Sequence, residues 1–266
     1  MENAPYPCHV EPTISNEQFI AEHIFIYLET GFLTIYDGNE TYTFGAGEYG
    51  FISRNHFARY KKGGANGKEF KSVSIFVGQE FLRSFSKEYG YEADPNECFG
   101  CDAVIKLDPH TLLESYLKSI KPYMDLTGKE RDHFMFLKTK EIVLLLLKTN
   151  PELKNVLLDF SDPGKIDLEN FMNRNFRFNV SLKRFSYLAG RSLTVFKEDF
   201  KKTFGTSPGR WLQEKRLTEA HFRLEHLGQH PSEVYLEVGF EDLSHFSYAF
   251  KKKYGIAPSH LKKSIS

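Results

Sequence analysis

Apolar and polar positions change their period twice along the 266-residue chain, and the changes mark out its organisation. Up to about residue 80, short apolar runs are cut by glycine turns. Ile24-Phe-Ile-Tyr-Leu28 is followed by Phe32-Leu-Thr-Ile-Tyr36, then Asp37-Gly38-Asn39, then Thr41-Tyr-Thr-Phe44. Asp-Gly between β-branched and aromatic runs predicts a hairpin, because glycine takes the positive φ that the tight turn requires. Gly45-Ala-Gly47-Glu48 supplies another turn before a strand over 49–53, and 70–77 supplies one more. Many short strands separated by such turns predict a small barrel or sandwich, with Phe25, Tyr27, Tyr42, Phe44 and Phe51 in its core.

The period then becomes helical. Asp108-Pro109 opens a helix in which Leu112, Leu113, Tyr116, Leu117 and Ile120 form one apolar stripe. Gly128 separates it from a second helix over 129–148, whose end, Ile142 to Leu147, is apolar all round and must be buried on more than one side. Ser161-Asp-Pro-Gly164 breaks the chain. The reading is a domain over 1–160, a linker over 161–165 and a second domain over 166–266.

The second domain repeats itself. A short helix from Ser181 leads to Gly190, and a basic helix then runs from Ser192 to Phe200-Lys-Lys-Thr-Phe-Gly205. A second short helix from Ser232 leads to Gly239, and a second basic helix runs from Leu243 to Phe250-Lys-Lys-Lys-Tyr-Gly255. Between them Pro208 to His226 reads as one helix, with Trp211, Leu212, Leu217, Ala220 and Leu224 on its apolar side. About 18 helical residues span roughly 27 Å. With packing offsets at each end, the separation approaches one DNA turn, about 34 Å. A duplicated helix–turn–helix ending in lysines suits two successive major-groove faces of one duplex.

Composition hides this. Lys+Arg 35 balances Asp+Glu 35, which alone argues against a nucleic-acid binder. The balance is made of opposite halves: Lys165 to Ser266 carries 18 basic against 11 acidic residues, and Met1 to Gly164 carries 17 against 24. An acidic module is joined to a basic one. The N-terminus lacks a basic start and apolar stretch, and Ile142 to Leu147 is too short to cross a bilayer, so no membrane partner is expected. Three cysteines suit a reducing cytoplasm.

Residues 166–264 resemble the DNA-binding domain of AraC/XylS-family transcription regulators. The resemblance is carried by Gly205-Thr-Ser-Pro208, Arg216-Leu217 with Ala220, Gly239-Phe240, Ser244-His-Phe246 and Phe250-Lys-Lys-Lys-Tyr-Gly-Ile-Ala-Pro258. Tyr235 departs from it, standing where the family usually has a small alanine against the second recognition helix. The first domain resembles the family's cupin-like sensor and dimerisation domain through Glu29-Thr-Gly31, Gly47-Glu48 and the two-helix tail. The fold class implied is two-domain α+β: a cupin-like β-barrel plus two helices, then an all-α domain with two helix–turn–helix motifs. The function implied is a sequence-specific activator and no enzyme, a homodimer with double-stranded DNA and RNA polymerase as partners. Control would come from a small effector or a regulatory protein acting on the first domain. Leu193-Thr-Val-Phe-Lys-Glu198 with Trp211 is similar to the type III secretion activators, which implies the protein partner.

The resemblance places base contacts at Thr194, Lys197 and Glu198 in the first reading helix, and at Leu243, Ser244, Ser247 and Tyr248 in the second. Glu198 suits cytosine N4 and Lys197 suits guanine. The four uncharged residues suit thymine methyls or DNA shape. Phosphate contacts fall to Ser192, Lys201, Lys202, Arg216, Lys251 and Lys252. Lysine clusters are usually solvated faces, but recurrence at one place in two copies favours phosphate. Arg54, His56 and Arg59, with Lys61 and Lys62, lie on an expected loop and suit either an anionic ligand or plain solvent. His23 and His56 invite a metal, yet no His-x-His occurs, and no metal or cofactor is assigned. Cys98-Phe-Gly-Cys101 with Cys8 falls one short of a four-cysteine zinc site, which excludes a fused DNA-repair methyltransferase of that form. The remaining alternative, a cupin-type enzyme domain fused to a DNA-binding module, lacks an acid–base or nucleophile constellation.

Overall fold

The computed structural model of the chain describes residues 6–7, 18–65, 67–94 and 102–261. It has two compact units, one of residues 1–15 and 19–161, the other of 16–18 and 162–266.

The first unit contains strands β1 (Tyr6–Pro7), β2 (Phe19–Ile20), β3 (His23–Thr30), β4 (Phe32–Tyr36), β5 (Thr41–Gly45), β6 (Tyr49–Ile52), β7 (His56–Phe57), β8 (Arg59–Gly63), β9 (Lys71–Val77) and β10 (Val104–Leu107). Its helices are α1 (Gln79–Tyr89), α2 (Thr111–Met124), α3 (Gly128–Thr149) and α4 (Leu153–Leu157). The strands pair antiparallel in three ladders, β1-β9-β3-β6-β10, β5-β4-β8 and β2-β7. Strand β3 lies inside the largest, with Phe25 opposite both Ile75 and Phe51. Phe25, Phe51, Val73, Ile75 and Val77 face the helices, while Ile24, Ile26, Leu28 and Ile52 pack with Leu33, Ile35 and Phe44 of the three-stranded sheet. Burial on both faces is why β3 reads as one continuous apolar run instead of an alternation.

The hairpin forms at Asp37, whose Oδ1 accepts the N–H groups of Asn39 and Glu40 at 2.8 Å each, with Gly38 at φ 101°. Phe25, Phe44 and Phe51 are fully buried; Tyr27 and Tyr42 are half-buried. The stretch carrying Arg59, Lys61 and Lys62 is not a loop. It is β8, paired along β4 with Ile35 opposite Tyr60. Its sequence has no apolar run, so the pairing comes from the edge that β4 offers. Helix α1 escaped prediction because only Phe81, Leu82 and Phe85 are buried, too few for a visible period. Helix α2 starts at Thr111, capped by His110, and Leu112 leaves the expected stripe: it is exposed while Leu113, Tyr116, Leu117 and Ile120 are buried. On α3, Ile142, Val143 and Leu146 are fully buried and Leu144, Leu145 and Leu147 pack half-buried against the same core. Phe136 and Leu137 on that helix are exposed.

The second unit contains α5 (Leu168–Asn175), α6 (Leu182–Leu188), α7 (Leu193–Phe204), α8 (Pro208–Glu225), α9 (Pro231–Glu237), α10 (Leu243–Tyr254) and a final 3-10 turn at Pro258–His260. Helix α8 serves two cores. Trp211 packs edge-on against Phe200 and Phe204, with centroids 5.7 and 4.8 Å away. Leu217, Ala220 and Leu224 join Val234, Val238, Phe240, Phe246 and Phe250.

At the start of β3, His23 is buried, its ring stacks on Phe51 and its Nδ1 accepts the Arg54 N–H at 3.3 Å. Burial above all, then the charges of Arg54 and His56, lowers its pKa to about 3. The folded ring therefore stays neutral where the unfolded one, near the ordinary 6.5, takes a proton. Its contribution to stability is complete above pH ~6.5 and falls as pH drops toward about 3. Denaturant titrations of the full chain between pH 7 and 5 are expected to show this loss. His23→Gln should lower the pH slope by about one proton, and equal slopes for the two proteins would refute the assignment.

Candidate nucleic-acid interface

Helices α7 and α10 are built to one plan. The Ser192 hydroxyl oxygen accepts the Val195 N–H at 3.3 Å, and Asp242 Oδ1 accepts the His245 N–H at 2.7 Å. Each cap satisfies a donor that the first turn would otherwise leave without a partner. Both helices have 12 residues and stop at a left-handed glycine, Gly205 or Gly255. Phe196 and Phe200 are fully buried on α7, as are Phe246 and Phe250 on α10. Those anchors fix each helix's rotation. Thr194, Lys197, Glu198 and Lys201 then share the outward face of α7, and Ser244, Ser247, Tyr248 and Lys251 share that of α10. All are exposed except Ser247, which is half-buried, and Tyr248 projects furthest, at 68% exposure. Leu243, Ser192, Lys201, Lys202, Lys251 and Lys252 are exposed beside these faces.

The turns repeat as well. Gly190 N–H donates to Tyr187 O and Arg191 N–H to Ser186 O; Gly239 N–H donates to Leu236 O and Phe240 N–H to Tyr235 O. Corresponding residues are 49 apart up to this point and 50 apart from the caps onward, so Glu241 is the extra residue. Tyr235 is accommodated partly buried against the core beside α10, whose caps and anchors match those of α7. Gly239 is at φ 99°, and a Cβ there would stand 2.6 Å from Arg177 O and 2.9 Å from Arg216 Nε.

That close approach exposes a correction. Arg216 is turned into the unit, with Nε donating to Phe176 O and Nη2 to Phe178 O, both at 2.7 Å. It clamps the segment after α5, so it leaves the set of phosphate contacts. Its neighbours extend the clamp: Glu219 Oε1 accepts from Arg177 at 2.7 Å and from Arg223 Nε at 2.8 Å, and Arg223 Nη1 pairs with Glu237 of α9. Lys253 is likewise occupied, donating to Glu214 O at 3.0 Å and Thr218 Oγ1 at 2.9 Å, which ties α10 to α8. The family motif contained Arg216, but nothing in the sequence gave its direction, because the accepting carbonyls lie about forty residues away.

In the first unit, the expected anion site is taken apart. Arg54 Nη2 donates to Asp159 O at 2.7 Å and Ser161 O at 2.9 Å, and Arg83 supports the same segment through Phe160 O at 3.2 Å. His56 Nδ1 lies 2.8 Å from Arg54 O, and burial lowers its pKa. Arg59 belongs to β8 opposite Tyr36. Arg54 is thus a structural staple whose charge is met by backbone carbonyls. Among the described residues no three His, Cys, Asp or Glu gather as a metal site requires, and no helix is long and apolar enough to cross a membrane. Cys8, Cys98 and Cys101 lie outside the described residues.

Comparison with known proteins fits both halves. Residues 23–156, about half of the chain, match the ExsA N-terminal regulatory domain, and residues 186–264 match a helix-turn-helix domain. The HTH-type transcriptional regulator ExsA of Pseudomonas aeruginosa is 28% identical over 96% of this chain and 91% of its own length. The virulence regulon transcriptional activator VirF of Yersinia enterocolitica is 32% identical over 36% of this chain and 35% of its own. Apo ToxT of Vibrio cholerae aligns over 96% of this chain and 94% of that one, at 16% identity and TM-score 0.46. These domains and relatives are those of transcription regulators, not of enzymes.

The clamp role of Arg216 separates cleanly from a phosphate role. Arg216→Ala is expected to destabilise the protein by about 1–3 kcal/mol, because two carbonyls lose charge-assisted donors. Lysine should not rescue it, lacking the forked donors. A phosphate contact would instead leave stability unchanged and reduce the salt slope of DNA binding by about 0.9. Thermal unfolding and salt-titrated binding of the variant decide between them.

Proposed function

The chain belongs to the AraC/XylS family of transcription regulators, with an N-terminal domain of the ExsA regulatory type, and on that premise we propose that it is an activator that lays α7 and α10 in successive major-groove segments of one duplex. The observation that carries this is the recurrence of one outward face on two identically capped and anchored helices joined by the 18-residue α8. In this reading Thr194, Lys197 and Glu198 read one groove segment, and Leu243, Ser244, Ser247 and Tyr248 read the next. Ser192, Lys201, Lys202, Lys251 and Lys252 hold phosphates. The named activators among its relatives support the sign of regulation, with RNA polymerase as the further partner in the cytoplasm. The cupin-like first unit is the controlled part, acted on by a small effector or a regulatory protein. The regulatory description of its family supports that division of labour.

The first unit also pairs with a second copy through α2 and α3. Leu112 on α2 and Phe136 and Leu137 on α3 support this, being large apolar side chains left exposed on neighbouring helices. A two-fold pairing is the commonest way to close such a surface. Leu117 and Leu145 belong to the inner core, so charging them would damage the fold. Leu137→Glu is the informative variant: light scattering at micromolar concentration is expected to show a dimer for the parent and a monomer for the variant. A monomeric parent would refute the pairing.

Reading and gripping should separate by mutation. Glu198→Ala is expected to cost about 1–3 kcal/mol on the best site and to relax base preference at one position. Lys251→Ala should weaken all duplexes alike and make the slope of log affinity against log salt shallower by about 0.9. Equal, sequence-independent losses for both would remove Glu198 from the reading set, and no duplex binding by the full chain at low salt would remove the function itself.

A further inference from the structure

The two motifs share a backbone plan but not a charge. From Ser181 to Gly205 there are six Lys and Arg against two Asp and Glu; from His230 to Gly255 there are three against four. Some of these are occupied inside the protein. Arg191 pairs with Asp199 at 3.0 Å, Glu237 with Arg223, and Lys253 is held on α8. What faces solvent in the first motif is Lys183 and Arg184 on α6, with Lys197, Lys201 and Lys202 on α7, against Glu198 alone. In the second it is Lys251 and Lys252 against Glu233, Glu241 and the cap Asp242.

The contrast is sharpest on the leading helices. Phe185 and Leu188 bury one side of α6, leaving Lys183 and Arg184 exposed on the other. The 49-residue correspondence puts Ser232 and Glu233, also exposed, at the same two places on α9. In helix–turn–helix proteins the leading helix crosses the phosphate backbone while the second enters the groove. A cationic pair there neutralises phosphates; a serine and a carboxylate do not.

We propose that α6 is a phosphate-gripping element, with Lys183 and Arg184 on the backbone beside the first reading helix, and that α9 has no counterpart, so the two motifs hold the duplex unequally. The first motif supplies most of the salt-dependent affinity. The second adds little long-range attraction and depends on the short-range contacts of Leu243, Ser244, Ser247 and Tyr248. This rests on the DNA-binding reading given above.

The test uses the full chain and a duplex that it selects from a random-sequence library, with affinity measured across a salt series. Replacing the pair, Lys183→Ala with Arg184→Ala, is expected to make the log–log slope shallower by about 1.8, two phosphates at about 0.9 each. The loss should be alike on selected and unselected duplexes. Writing the pair into the second motif, Ser232→Lys with Glu233→Arg, is expected to steepen the slope by a similar amount and to tighten binding. All four positions are exposed, and unchanged melting temperatures would show both variants folded. If the alanine pair leaves slope and affinity at the parent values while Lys201→Ala with Lys202→Ala lowers both, α6 does not touch DNA although the chain binds it. No gain from the transplanted pair would overturn charge as the cause of the inequality. Failure of the parent to bind any duplex at low salt would overturn the DNA-binding reading as well.

Discussion

The Arg216–Glu219–Arg223 seam along α8 is the constraint on which the DNA-binding unit depends. At spacings of three and four residues these side chains share one side of the helix, and each reaches a different part of the unit. Arginine suits the task because its planar fork can hold two carbonyls, or a carbonyl and a carboxylate, at fixed angles. The seam turns α8 from a connector into a spacer of set length and rotation. A reader at one end then presents the reader at the other at high effective concentration, a gain that vanishes when the spacing is loose. Lys253 adds the same discipline at the far end, drawing α10 onto α8 through Glu214 and Thr218.

In the first unit the corresponding constraint is burial on two sides. The five-stranded sheet lies between a three-stranded sheet and a layer of helices, so its aromatic side chains are sorted by strand register: Phe25 and Phe51 toward the helices, Ile24 and Ile52 away. Arginine appears here too as a holder of backbone. Arg54 and Arg83 meet the carbonyls of Asp159, Phe160 and Ser161, the last residues of the unit. In both units, arginines that look from the sequence like ligand or phosphate contacts are spent on carbonyl oxygens.

What was legible in the sequence follows from that distinction. The strands at 24–28, 32–36 and 41–44 announce themselves by apolar runs around an Asp-Gly turn. The outward faces of α7 and α10 follow from the spacing of two phenylalanines. These are local signals. Strand β8 has none, because Arg59 to Gly63 is strand only through its pairing with β4. Helix α1 has too few buried positions to show a period. The direction of an arginine is the hardest to read, since Arg54 and Arg216 find acceptors 105 and 40 residues away that carry no side-chain signature. Leu112 errs in the opposite sense: its place in the period is right, yet the stripe is narrower than the pattern suggests.

The extra residue at Glu241 gives this duplication a broken period. A self-comparison at one fixed interval aligns either the glycine turns or the reading helices, never both. Grafting the face of one helix onto the other therefore has a right and a wrong frame. Matched on the caps Ser192 and Asp242, phenylalanine replaces phenylalanine at both anchors. Matched on the glycines, the graft is rotated by about 100°. His245 would then fall in the place of Phe196 and Phe246 in the place of Lys197, and the helix would present its core to the DNA.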